Sequence, residues 1–200
     1  MLKHTTNHYT QSLLILALAI SLAACSSGTE SANTSGDSAN STATSVNTSS
    51  SPQPTNSTAN IALLGVNSVD EINFKPAPKA APGFFDGING LSAPTIQVSK
   101  ANPITATGWA IISDESRPAD RVIITYGENN SIVAVAPVKL ERPDVVKVLK
   151  NPEYKNSGWA TTINASTLPA DEVVLRAWAY NSKTKEATPF TSTREVVVVD

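Results

Sequence analysis

From Gly83 onward the chain is written in short runs of β-forming residues separated by turn signals, and that rhythm leaves few folds open. Ile96–Val98, Ile104–Ile112, Arg121–Tyr126, Ile132–Leu140, Trp159–Ala165, Val173–Tyr180 and Glu195–Val199 each read as a strand. Gly127–Ser131 (GENNS) lies between two of them as a hairpin turn. Evenly spaced strands with short connections predict a mainly β domain, an immunoglobulin-like antiparallel β-sandwich over 83–200, of the usual size for one such unit. One stretch breaks the rhythm: RPDVVKVLKNP, Arg142 to Pro152, has proline for the first helical position, Asp144 at the positive end of the dipole and Asn151-Pro152 as a stop. It predicts one short helix, with Val145, Val148 and Leu149 plugging an edge or end of the sandwich.

Reactive side chains are scarce. Cys25 is the only cysteine, and both histidines, His4 and His8, lie within the first ten residues. No intrachain disulfide can form, so stability must come from packing. The N-terminal stretch carries Lys3 and then the apolar run Leu13–Ile20, too short to span a bilayer and suited to the hydrophobic region of a secretory signal peptide over 1–24. Removal of that peptide would leave no imidazole, which excludes histidine-based catalysis and every His- or Cys-ligated metal site. No cofactor and no metal are expected.

Leu22-Ala23-Ala24-Cys25 resembles the lipobox of bacterial lipoproteins, in which cleavage leaves the cysteine as the new N-terminus, modified with diacylglycerol. The resemblance implies lipid attachment at Cys25 and a membrane partner through that lipid. Each buried acyl CH₂ contributes about 0.8 kcal/mol, and the two or three chains of such lipoproteins make attachment effectively permanent. Ser26 after the cysteine resembles the pattern of outer-membrane sorting, so the expected address is the outer membrane, facing periplasm or cell surface.

Residues 25–60 follow as a Ser/Thr/Asn-rich tract with Glu30 and Asp37 as its only charges and Val46 as its only large aliphatic residue before Asn60. It cannot bury enough apolar surface to offset the entropy of ordering, which predicts a disordered tether with a root-mean-square reach of roughly 30–35 Å. Residues 61–82 form a distinct segment. Ile61 to Phe74 (IALLGVNSVDEINF) reads as a strand or turn docked on the domain, or as a short motif for a partner, with Ser68 and Glu71 spaced as a capping box. Lys75 to Pro82 (KPAPKAAP) is a Pro-rich linker.

Gly108-Trp109-Ala110 followed by Pro118-Ala119-Asp120-x-Val122 recurs as Gly158-Trp159-Ala160 followed by Pro169-Ala170-Asp171-x-Val173, which predicts two similar hairpins. Together with FFDGINGL and ERPDVVKVLKNPEYKNSGW, these motifs resemble a poorly characterised β-sandwich domain of bacterial envelope proteins, often appended to membrane glycosyltransferase-like segments. The resemblance covers nearly all of 83–200 and implies the fold and glycan-related surroundings.

Asp114, Glu115 and Asp120 crowd one loop, but Arg117 and Arg121 interleave with them, and the cluster reads as solvated charge and not as a catalytic pair. Enzyme activity is not expected. Aromatic faces are the better binding candidates, since sugar rings stack on flat indoles. Trp109 and Trp159 read as core. In VVLRAWAYN, alternation places Val173, Leu175, Ala177 and Ala179 on one face and Arg176, Trp178 and Tyr180 on the other, as an outward ligand stripe or as a face packed under the helix or the N-terminal segment. Charges of Ile61–Asp200 nearly balance without a basic stripe, which argues against nucleic acid. Two functions follow: a non-catalytic envelope lipoprotein whose sandwich binds a glycan, or a structural or protein-interaction module of the envelope.

Overall fold

The computed structural model describes residues 58–200. The expected signal peptide, Cys25 and the tether as far as residue 57 lie outside the described residues. Ahead of the sandwich come a six-residue helix α1 (Thr58–Leu63), a 3-10 turn (Val69–Glu71) and a two-residue strand β1 (Asn73–Phe74). The remaining strands are β2 (Gly83–Ile88), β3 (Thr95–Ser99), β4 (Pro103–Ile112), β5 (Arg117–Pro118), β6 (Arg121–Tyr126), β7 (Ser131–Leu140), β8 (Gly158–Asn164), β9 (Asp171–Asn181) and β10 (Glu186–Val199). Helix α2 (Pro143–Leu149) and a second 3-10 turn (Pro152–Asn156) connect β7 to β8.

The strands make one curled sheet in the order β1-β10-β9-β6-β7-β8-β4-β2, with β3 added to β10 and β5 to β4. Folding over of this sheet gives the two layers of a sandwich. The corner is β7: Ser131 to Pro137 pair with β6, while Val138 and Leu140 pair with β8. Pro137 sits at the changeover, where the lack of an N–H costs least because the ladder is already switching partner. On the other side the seam between β2 and β10 is drawn together by side chains. The Phe85 N–H donates to Ser192 Oγ, and Arg194 Nη2 donates to the Asp86 carbonyl.

Period-two alternation fills the space between the layers. Val173, Leu175, Ala177 and Ala179 of β9, with Val122, Ile124 and Val196 beside them, pack with Phe85, Ile104 and Trp159 in one buried cluster. Trp159, 1 % exposed, meets Phe85 edge-on at 5.5 Å between centroids. Full burial of such side chains stabilises the fold by a few kcal/mol each.

The two Gly-Trp pairs are directly opposed in the β4–β8 ladder, with Gly108 against Trp159 and Trp109 against Gly158. Opposed residues share a face and neighbours in a strand do not, so one indole points into the core and the other out. A Cβ on Gly108 would come within 2.6 Å of the Trp159 ring, so the glycine makes room for the indole. Trp109 therefore departs from the expected core position: it is partly buried on the outer face, against Ile111, Val145 and Tyr154. The repeated motifs are also not two similar hairpins: β4 folds back only on the two-residue β5, and β8 does not pair with β9. β4 pairs with β2, β5 and β8, while β6 pairs with β7 and β9, so each motif is an arch from one layer to the other.

Helix α2 lies where the sequence places it, but it plugs less than expected. Val145 is buried and Val146 partly so, whereas Val148 is 75 % and Leu149 39 % exposed. With seven residues, the helix packs through its first turn while its last turn projects from the body.

Candidate functional site

The stripe on β9 has the facing that alternation requires, yet it is not an open surface. Trp178 is 7 % and Tyr180 0 % exposed, and only Arg176 remains in partial contact with solvent, its Nη1 donating to the Gly127 carbonyl. The covering element is the segment ahead of the sandwich. Ile61, Leu64, Val66 and Ile72 pack with Trp178, Tyr180, Ile123, Ile132, Val135 and Ala187 in a second apolar cluster, outside the interlayer core. Phe74 meets Trp178 edge-on at 4.8 Å.

Polar contacts hold this strap along its length. The Tyr180 hydroxyl donates to the Leu64 carbonyl at 3.1 Å, and Asn73 and Lys75 N–H groups donate to the Lys185 and Ala187 carbonyls. Ion pairs join Lys185 to Glu71 and Lys75 to Glu186. Hydrogen bonds from Lys185 and then from Asn67 hold the Glu71 carboxyl down at about 2. The expected capping box does not close, because Glu71 takes the N–H and side-chain amide of Asn67 and the Ser68 side chain caps nothing.

The acidic loop is an internal network. Arg117 donates to Glu115 and Asp120, Asn181 to Glu115, and the Ser182 N–H and hydroxyl to Asp120. Arg117 and then Asn181 lower the Glu115 carboxyl. Burial pushes Asp120 up, but Ser182 and Arg117 outweigh it and leave the carboxyl below its usual range. These groups fasten the start of β6 to the end of β9. Asp114 and Glu115 also border a groove of about 440 Å³ beneath Pro78, Ala80 and Pro82 of the linker.

The opposite outer face is the one left open. Phe84, Trp109, Gly158 and Leu140 stand in register across β2, β4, β8 and β7. At about 4.8 Å between strands the row spans about 14 Å. Phe84 is 41 % and Leu140 45 % exposed, and one side of the Phe84 ring carries Arg194, 5.7 Å from its centroid. The Arg142 stem crosses Gly158, where a Cβ would lie 2.9 Å from Cγ. Its guanidinium bonds Asp86 through Nη1 at 2.7 Å and Asp144 through Nε and Nη2 at 2.9 and 2.7 Å. Burial raises the Asp86 carboxyl, and the facing Arg142 offsets this only in part. Phe84 and Leu140 thus stand exposed beside one arginine held between two carboxylates, and the last turn of α2 adds exposed Val148 and Leu149. The adjacent Phe84-Phe85 was the signal available in the sequence, since one of two neighbouring strand residues must face outward.

No protein-family model matches the chain, and no characterised protein matches it in sequence. Among solved structures, the endo-beta-1,4-mannanase from Thermotoga petrophila is similar over 61 % of this chain and 20 % of its own length, at 6 % identity and a TM-score of 0.36. A likeness that slight bears on neither activity nor ligand.

Proposed function

We propose that the chain is a lipid-anchored, non-catalytic binding module of the bacterial envelope, held to a membrane through Cys25 and working through the outer face of β2, β4, β8 and α2. The reading is supported by the lipobox-like Leu22-Ala23-Ala24-Cys25 and, above all, by exposed Phe84 and Leu140 in one row beside helix α2, whose last turn exposes Val148 and Leu149. Aliphatic side chains beside an Asp86–Arg142–Asp144 cluster, one guanidinium between two carboxylates, suit a protein partner with an apolar contact and a polar rim. The face is tested with a photo-cross-linker at Val148 of the full chain in its native envelope and a control at Leu91, exposed on the β2 turn. One dominant protein adduct, lost on Leu140→Asp and missing from the control, supports docking there; equal labelling from both positions sinks it. The anchor is tested by Cys25→Ala, which should move the chain from the membrane to the soluble fraction.

A second reading, in which the sandwich binds a glycan, is favoured by the Arg176–Trp178–Tyr180 stripe, intact on β9 but beneath the strap.

A further inference from the structure

We infer that Thr58–Lys75 is a detachable strap that occupies the aromatic stripe of β9 in place of a ligand, making Arg176, Trp178 and Tyr180 a conditional site for a ring ligand of the sugar class. The inference rests on the glycan reading above and adds to it what controls access.

Four observations converge. First, the strap contributes nothing to the interlayer core: its apolar side chains lie in the separate cluster on the outer face, so its departure leaves the sandwich packing intact. Second, it is built from elements that are not stable alone, namely a six-residue helix, a three-residue 3-10 turn and a two-residue strand. Its two ion pairs are both between partly exposed side chains, and pairs of that kind hold weakly.

Third, two of the three stripe residues are held from the body and not by the strap. The Trp178 Nε1–H donates at 2.8 Å to Thr125 Oγ1, on the neighbouring strand β6, so the indole keeps its orientation when uncovered. Arg176 is likewise held from the body, by the Gly127 carbonyl. Fourth, the groups the strap offers to the stripe are those a ring ligand would offer: the Phe74 ring against the indole, and the Leu64 carbonyl accepting from the Tyr180 hydroxyl. Opening exchanges these for a flat aromatic surface, a free phenol and a guanidinium, a set that stacks on a sugar ring and bonds its hydroxyls. The strap is an internal competitor, and ligand affinity is lowered by the fraction of molecules in which it is closed.

Native-state hydrogen exchange of the full chain, read by mass spectrometry at low denaturant, tests the opening. The amides of Ile72, Asn73 and Lys75, which donate to Val69, Lys185 and Ala187, should exchange together and about 100-fold faster than those of β6 and β9. Titration of the full chain with cellohexaose and chitohexaose tests the site. Phe74→Ala should bind one of them about tenfold more tightly than wild type, and adding Trp178→Phe should abolish the gain. Lys185→Ala, which removes only the clasp to Glu71, is the second opening variant should Phe74→Ala fold poorly. Exchange of the strap amides only with those of the core overturns the strap as a separate unit. Fast strap exchange without saccharide binding by either opening variant overturns the conditional site and the glycan reading together. Equal binding by wild type and opened variants overturns the masking.

Discussion

The two outer faces of the sandwich both carry aromatic side chains and meet opposite fates. On the β9 side, Trp178 and Tyr180 are covered by a segment whose first described residue is more than a hundred positions earlier. On the β2 side, Phe84 and Leu140 remain exposed, because the helix that follows Leu140 covers Trp109 and stops. Strand alternation sets which face a side chain takes, and the chain's path elsewhere sets whether that face meets water. A β-sandwich has one core by construction and a second only where a segment is laid across a layer from outside.

The sharpest way to break this comparison is Trp178→Ala. If the β9 face is a true second core, chemical denaturation should show a loss of about 3–5 kcal/mol. Phe84→Ala, on the open face, should cost about 1 kcal/mol or less; equal costs would show the strap to be no cover at all. Arg142→Ala comes next in size. Loss of the bidentate pair with Asp144, the bond to Asp86 and the stem packed over Gly158 should remove about 1–2 kcal/mol and loosen α2, seen as faster exchange in that helix alone.

Acid should loosen the strap through Glu71. The Glu71 carboxyl titrates at about 2 in the fold against an ordinary 4.5, so the stabilisation it brings is complete above 4.5 and is lost as pH falls toward 2. Lys185, Asn67 and the Tyr180 hydroxyl are the polar groups around it. The Trp178 indole N–H resonance should therefore shift in that window while that of Trp159 stays fixed, and Lys185→Ala should flatten the response. The smallest expected effect on stability is that of Val148→Asp. At 75 % exposure it should change folding by no more than about 0.5 kcal/mol while removing the proposed partner contact, separating the binding role of the open face from any role in folding.

How far the sequence discloses this molecule follows the locality of each interaction. β4, β6, β7, β8 and β9 lie within two residues of their expected bounds, since β-branched runs and turn residues act over a few positions. β2 was not legible as a strand, because Gly83 and Gly87 are poor strand formers on their own; they sit there since a Cβ on either would run into Trp109 and Phe190 or into the Leu91 backbone. The first half of β10 was hidden by Pro189 and the Thr/Ser residues around it, where the ladder with β9 slips by a bulge. The facing of Trp178 was readable, and the N-terminal segment was one of the two covers the sequence offered besides an open stripe; which of these holds was not readable, since alternation is local while Leu64 and Phe74 reach the stripe through the fold. Trp109 was misplaced for a similar reason: only the register of β4 against β8 reveals that two consecutive Gly-Trp pairs must send their indoles to opposite sides.

That register also bears on descent. Gly108, Trp109, Gly158 and Trp159 form a reciprocal quartet in which each indole lies opposite the other pair's glycine. A Cβ at Gly108 would meet the Phe84 carbonyl as well as the Trp159 ring, and one at Gly158 the Leu140 carbonyl as well as the Arg142 stem, so neither glycine can be enlarged by trimming a side chain alone. A constraint set by backbone should outlast overall identity, which makes this four-residue crossing, rather than any longer motif, the mark by which distant relatives of the chain are best sought.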